Sequence, residues 1–126
     1  MRLRQTVSLG LWVALAGTAV SGSTPPLPDA LAAGWAGKPV CELQHQTSSH
    51  RILRCSFAPG VGHERHYHPA HYGYALSGGT MQLTSAQGVR TAQIATGSHY
   101  SSDGVDWHEV INVGETTVTY LIVEEL

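Results

Sequence analysis

The residues best equipped for chemistry are histidines, which crowd into one part of the chain. The sequence contains eight histidines, and most of them fall between positions 63 and 108. His66 and His68 stand two residues apart, and side chains at that spacing in an extended segment project from the same side. Two neighbouring imidazoles on one face provide half of a binding site for a divalent metal ion.

Two further histidines can reach the same ion. Pro69 ends the extended segment and lets the chain turn back. His71 then begins a segment in which Gly73 and Ala75 share its face. Because both of these residues are small, the space beside the His71 ring is left unfilled. His108 opens a later strand, which can lie beside the first pair in an antiparallel barrel. The expected ligands of one divalent ion are His66, His68, His71 and His108.

Other residues near these ligands are candidates for supporting roles. Metal-bound imidazoles usually donate their second N–H to an oxygen, and a substrate needs polar groups in the pocket wall. A solvated loop is the alternative for His63 and Glu64, and a structural role is the alternative for His99. The residues expected beside the ligands or in the pocket are His63, Glu64, Tyr72, His99 and Tyr100, with Glu109 as a further polar group.

The elements that must carry these residues are short strands. The chain has 126 residues, which is enough for one domain, and its 14 glycines favour tight turns. Gly78-Gly79 predicts a two-residue hairpin turn. Strands are expected over 40–46, 51–57, 71–77, 80–85, 88–94, 107–112 and 116–124. Short strands at this spacing, with no helical period, predict a β-sandwich or a closed barrel.

The two cysteines predict a disulfide. Residues 40–46 and 51–57 both alternate between polar and apolar side chains, as the strands of a hairpin do. A hairpin symmetric about Ser48 places Cys41 opposite Cys55, close enough for a bridge. Two free thiols are the alternative. A disulfide is typical of an oxidising compartment outside the cytosol.

The N-terminal segment has the pattern of an export signal. Arg2 and Arg4 form a basic start, and residues 7–20 are apolar or small and carry no charge. This run is too short to span a bilayer and is typical of a secretory signal peptide, with an uncleaved anchor as the alternative. The predicted organisation is a signal peptide over 1–22, an extended lead-in with a short helical turn over 23–39 and one β-domain over 40–126. The protein is expected to be exported, either periplasmic or secreted.

The histidine motifs resemble those of the cupin superfamily. His66-x-His68-Pro69 followed by a Tyr-x-Leu-x-Gly78 segment is similar to the first cupin motif, and His108-x3-Asn112-x-Gly114 resembles the end of the second. The likeness covers roughly 40–124 and is greatest to small single-domain cupins labelled beta-alanine degradation proteins. It implies an all-β fold, the cupin double-stranded β-helix or jelly-roll barrel.

The resemblance also implies a ligand set, from which this sequence departs at one position. Cupins use two histidines of the first motif, a glutamate shortly after them and a histidine of the second motif. The matching histidines here are His66, His68 and His108. The glutamate position falls on His71 when counted back from Gly78 and nearer to Tyr72 when counted forward, and alternation favours His71. The Pro-x-Gly that precedes the second-motif histidine is replaced by residues 103–105, Asp-Gly-Val.

A metal-dependent activity on a small molecule follows from this resemblance. The ion is expected to be Fe, Mn, Zn, Cu or Ni, and three-histidine sites occur in cupin dioxygenases, so a non-haem dioxygenase is the first expectation. The alternatives are a non-enzymatic protein that holds a metal or small ligand, and an isomerase or lyase that uses the metal as a Lewis acid. A net charge of −2 argues against nucleic-acid binding. No membrane contact is expected after signal cleavage, and the apolar run 116–123 would suit a homodimer if one face of it is exposed.

Overall fold

The computed structural model describes residues 10, 12–19 and 22–126, and this part of the chain is built from strands joined by turns. Much of the predicted signal peptide over 1–22 therefore lies outside the described residues. Among those that are described, no helix is long and apolar enough to cross a membrane. The strands in chain order are β1 (Gly34–Trp35), β2 (Lys38–Pro39), β3 (Cys41–Gln46), β4 (His50–Phe57), β5 (Gly62–His68), β6 (His71–Ser77), β7 (Gly79–Ser85), β8 (Gly88–Ile94), β9 (His99–Ser102), β10 (Val105–Asn112) and β11 (Val118–Glu125).

From β5 onwards the chain passes back and forth between two antiparallel sheets. The four-stranded sheet has the order β5-β10-β7-β8, and the five-stranded sheet has the order β3-β4-β11-β6-β9. The short pair β1-β2 stands apart from both sheets. This arrangement is the double-stranded β-helix, or jelly roll, and it confirms the all-β fold predicted from the sequence.

The two-residue hairpin predicted at Gly78-Gly79 is wrong. Strand β6 lies in the five-stranded sheet between β11 and β9, whereas β7 lies in the four-stranded sheet between β10 and β8. Gly78 is the point at which the chain crosses between the sheets, and a Cβ there would collide with the carbonyl oxygen of Ile94. The error arose because alternating strands on both sides of a glycine pair look the same for a hairpin and for a crossing.

The hairpin predicted for β3 and β4 is present, and so is its disulfide. The register sets Cys41 directly opposite Cys55 and Leu43 opposite Leu53. Cys41 and Cys55 are bonded to each other and both are buried. The disulfide prediction is confirmed, and it ties the edge strand of the five-stranded sheet to its neighbour.

The segment before β1 packs onto the barrel. The N–H of Ala33 donates to the carbonyl of Asp29 and closes one turn, and the N–H of Ala32 donates to Asp29 Oδ1. Ala30, inside this turn, is fully buried in the core. The N–H of Tyr67 donates to the Pro28 carbonyl. The segment is therefore attached to β5, the strand that carries the first histidine pair.

The hydrophobic core is small because part of the interior is a cavity. Each large apolar side chain that is fully buried contributes about 1.5–3 kcal/mol. The buried core residues are Ala30, Cys41, Leu53, Cys55, Phe57, Met81, Val118 and Ile122. Asn112, also buried, donates through Nδ2 to the carbonyls of Phe57 and Thr116 and so ties the end of β10 to the five-stranded sheet. These contacts hold the two sheets together around the cavity.

Candidate metal site

Three histidines on two adjacent strands bring their ring nitrogens together. Strand β5 carries His66 and His68, and β10 carries His108, which the register sets opposite His66. His66 Nε2 lies 3.0 Å from His68 Nε2 and 3.0 Å from His108 Nε2. The ligand nitrogens of all three rings lie within 4.8 Å of one another. The structure thus brings together the segments that the sequence motifs pointed to.

Hydrogen bonds on the far side of the rings determine which nitrogen carries the proton. His66 Nδ1 donates to the Glu64 carbonyl at 2.6 Å, since a carbonyl oxygen can only accept. His68 Nδ1 donates to a carboxylate oxygen of Glu124 at 2.7 Å. In the neutral rings both Nε2 atoms are therefore acceptors, and two acceptors 3.0 Å apart repel unless a cation binds them. A divalent metal ion removes this conflict, so the donor set fits one.

Burial keeps two of the clustered rings, those of His66 and His108, neutral. Burial, reinforced by the neighbouring His63, lowers the pKa of His66 to about 2. Burial and the proximity of His68 lower the pKa of His108 to about 3. Neutral imidazoles offer lone pairs rather than positive charge at pH 7. This is the protonation state that metal binding requires.

A buried carboxylate that the sequence analysis missed orients His68. Glu124 on β11 is 0% exposed, and besides His68 it accepts from Arg51 Nε at 2.5 Å. Arg51 Nη2 in turn donates to Asp29 Oδ2 at 3.0 Å. Burial alone would raise the pKa of Glu124, but the hydrogen bonds and charges of His68 and Arg51 outweigh it and hold this pKa below its usual range. The ionised carboxylate therefore holds the proton of His68 on Nδ1 and leaves Nε2 free for a metal.

His71 lies beside the three clustered histidines without joining them. Its ring centroid is 4.5 Å from that of His68, but its nitrogens are not among those that lie within 4.8 Å of one another. Its Nδ1 donates to the Pro69 carbonyl at 2.8 Å, so its Nε2 is an acceptor. Burial lowers the pKa of His71. The ring therefore adds a neutral acceptor to the same part of the barrel.

A bulge in β5 turns His63 towards the site. The pairing of β5 with β10 shifts in register between His66 and His63, so a residue three positions before His66 faces the interior. The ring of His63 is buried and stacks on that of His66 with 3.7 Å between centroids. Its Nε2 donates to the Ala30 carbonyl at 3.0 Å, and burial lowers its pKa to about 4. His63 thus connects the segment before β1 to the ligand His66.

The remaining residues expected near the ligands lie at varied distances from them. The Glu64 side chain is exposed, and only its carbonyl contacts His66. Tyr72 is 39% exposed and its ring stacks on that of His99, with centroids 5.7 Å apart. The alternation of β6 puts Tyr72 on the face opposite His71. His99 also reaches the rim of the cavity.

Tyr100 lies over the inner face of β6. Its ring covers Gly73, where any Cβ would collide with it, and meets the ring of His71 edge-on at 5.5 Å between centroids. Tyr100 is 40% exposed, but the desolvation caused by its packed neighbours still raises its pKa above the usual range, so its hydroxyl remains a donor. Glu109, by contrast, is exposed. Tyr100 is therefore the one of these two polar groups that the fold brings to the ligands.

A cavity of about 460 Å³ opens in front of the histidines. His63, His66, His68, His71 and His108 line it, and apolar side chains from both sheets form much of the remaining wall. The apolar lining residues include Phe57, Met81, Leu83, Ile94, Val110 and Ile122. Pockets of this size and character hold small molecules with few, specifically placed polar contacts.

Comparison with known proteins identifies the fold. No family model matches the chain, and no curated protein does. Among solved structures, a cupin domain from Bordetella pertussis Tohama I matches with a TM-score of 0.65 and 22% identity, covering 83% of this chain and 99% of that chain. A protein with a double-stranded β-helix domain from Klebsiella pneumoniae matches with a TM-score of 0.55 and 16% identity over 71% of this chain and 78% of that one. A predicted oxalate decarboxylase from Thermotoga maritima matches with a TM-score of 0.51 and 21% identity, covering 68% of this chain and 80% of that chain.

The fold of this chain is therefore the cupin fold, and it encloses a histidine cluster that can hold a metal ion. These structural neighbours confirm the fold that the sequence motifs predicted. They do not carry the finer likeness to beta-alanine degradation proteins, which stays a prediction.

Proposed function

We propose that this chain is an exported, metal-dependent enzyme that acts on a small molecule, with one divalent ion held by His66, His68 and His108. One observation carries the proposal. His66 and His68 both present Nε2 as an acceptor at a separation of 3.0 Å, with their Nδ1 protons engaged elsewhere. Fe, Mn, Zn, Cu and Ni all accept imidazole ligands of this kind.

The reaction class we propose is oxygenation by a non-haem metal centre. A redox-active ion such as iron, when bound, supplies the activation of O2. The chain itself positions the substrate, because apolar side chains of both sheets line the cavity. His71 offers Nε2 as a proton acceptor, and Tyr100 offers a hydroxyl that stays protonated at neutral pH.

A non-enzymatic metal-holding protein is the second candidate, and the position of His71 favours it. A fourth imidazole only 4.5 Å from the ring of His68 is close enough to approach the same ion. Four protein ligands would leave fewer open positions for a substrate. The substitution His71→Ala separates the candidates. Metal affinity that falls as far as in a ligand variant supports the holder, whereas unchanged affinity supports the enzyme.

Export is part of the proposal because the disulfide suits an oxidising compartment. The basic and apolar start of the chain is the expected signal. Fractionation of the producing cell, with N-terminal sequencing of the recovered protein, tests it. A mature protein in the cytosol that still begins at Met1 would contradict it.

The metal proposal is tested with tag-free protein from an oxidising compartment. Elemental analysis is expected to find about one metal ion per chain in the wild type and almost none in His66→Ala. The matched control is His45→Ala, since His45 is exposed on β3. Equal metal content in all three proteins, or none in any, would end the proposal. Oxygen uptake with a panel of small molecules, compared between wild type and His66→Ala, then tests the reaction class.

A further inference from the structure

A single arginine provides the permanent charge of the cavity wall. The described residues that line the cavity are histidines and side chains without charge, with Arg90 as the one exception. It lies on β8, and the register pairs it with Leu83 on β7, which lines the same cavity. Paired residues share a face of the sheet, so Arg90 projects from the same face as Leu83, and its exposed side chain lies at the sheet edge beside the cavity.

Arg90 has no anionic partner in the described part of the chain. The ion pairs found there join Arg51 to Asp29 and to Glu124. Burial raises the pKa of Tyr120 on the opposite sheet, and the charge of Arg90 opposes that rise. The field of the guanidinium therefore reaches across the cavity.

Arg90 also stands where two cavities meet. A second cavity of about 520 Å³ lies along the β7–β8 turn and residues 104–108. The two cavities share Leu83, Arg90, Val105 and His108 in their walls. A molecule in either cavity therefore has both Arg90 and His108 in the surrounding wall.

We propose that the small molecule bound in this cavity is a monocarboxylate with an apolar body, held by Arg90 through its carboxylate. The assignment rests on the proposed function, because it names the substrate class of the same site. The planar guanidinium binds carboxylates through two parallel hydrogen bonds. The apolar wall, including Met81 and Ile94, covers the rest of the molecule. A small dianion such as oxalate would leave that wall without a partner.

The test measures binding by calorimetry to protein loaded with zinc, which has no redox chemistry of its own. The probes are phenylacetate and octanoate, with phenylacetamide as a neutral analogue of the first and oxalate as a dianion without an apolar body. The variants are Arg90→Gln and the matched control Arg54→Gln. Arg54 lies exposed on β4, does not line the cavity, and loses the same charge.

We expect at least one of the two monocarboxylates to bind the wild type and Arg54→Gln equally, and to bind Arg90→Gln about tenfold more weakly or worse. Phenylacetamide and oxalate should bind weakly, and the affinity of phenylacetamide should be insensitive to Arg90. The zinc content of Arg90→Gln should equal that of the wild type.

Two results would overturn the assignment while leaving the metal site intact. One is zinc-loaded wild type that binds neither monocarboxylate, or binds oxalate more tightly than both. The other is equal monocarboxylate affinity in wild type and Arg90→Gln, which includes the case where zinc alone holds the carboxylate. Wild type that takes up no zinc would instead contradict the proposed function. The same comparison in zinc-free protein then still shows whether Arg90 binds the carboxylate.

Discussion

The two sheets of the barrel contribute to the site in different ways. The four-stranded sheet carries the three clustered histidines on β5 and β10. The five-stranded sheet carries Glu124 and Arg51, which orient His68, together with His71 at the side of the cluster. One sheet therefore supplies the ligands, and the other determines the tautomer and direction of a ligand. The site depends on both sheets being held face to face.

The largest expected effect comes from removing a ligand of the four-stranded sheet. His108→Ala should weaken metal binding by more than about a hundredfold, because such losses already reach about 10–100-fold when only an orienting residue is removed. Competition with a chelator measures the affinity. His99→Ala, on the five-stranded sheet, is the matched control and should bind metal like the wild type. Comparable losses in both variants would contradict the division between the sheets.

Removing the orienting carboxylate should have the next largest effect. In Glu124→Gln the amide NH2 can donate to His68 Nδ1, which moves the ring proton to Nε2 and blocks the lone pair. We expect metal affinity to fall about 10–100-fold. The free energy of unfolding should fall by up to about 3–5 kcal/mol, because the buried charge of Arg51 keeps only its partly solvated pair with Asp29.

The control for this prediction is the next residue along the strand. Glu125 is exposed, so Glu125→Gln removes the same charge without touching His68 or Arg51. Chelator competition and urea unfolding of both variants provide the measurements. If Glu124→Gln and Glu125→Gln behave alike, the five-stranded sheet has no orienting role.

The disulfide should affect stability and leave the ligands nearly unchanged. Cys41 and Cys55 are separated by 14 positions in sequence, and opening a loop of this size costs about 3 kcal/mol of unfolding free energy. Urea unfolding of the double variant Cys41→Ala/Cys55→Ala measures this loss. Metal affinity should stay within about threefold of the wild type, since neither cysteine orients a ligand. A loss of metal binding in the folded double variant would show that the hairpin, too, acts on the site.

The smallest effect is expected at the outer end of the ion-pair chain. The Asp29 side chain is 27% exposed, so its pair with Arg51 is partly solvated and contributes about 1 kcal/mol or less. Asp29→Asn should therefore lower metal affinity by less than about tenfold. Chelator competition beside Glu124→Gln provides the comparison. An effect as large as that of Glu124→Gln would mean that Asp29, in the segment before β1, orients the His68 ring as strongly as Glu124 does.

Local patterns predicted much of the fold and the centre of the site. Alternating side chains located most strands, and hairpin symmetry located the cysteine pair. The same patterns did not predict the crossing at Gly78 or the role of Glu124. Glu124 follows an apolar run near the end of β11, so the sequence pattern gives no sign of which way its side chain points. Its inward direction becomes evident only from its pairing with Arg51 and His71.

The sequence by itself determined that His66 and His68 share a face, because side chains in a strand alternate with period two. Bringing His108 to the same point required the pairing of β10 with β5, which joins residues 42 positions apart. The bulge that turns His63 inwards and the carboxylate that orients His68 were likewise decided by tertiary structure. Both depend on which strands lie side by side and which sheets face each other. Spacing along the chain carries no information about either, because they arise from packing between distant segments.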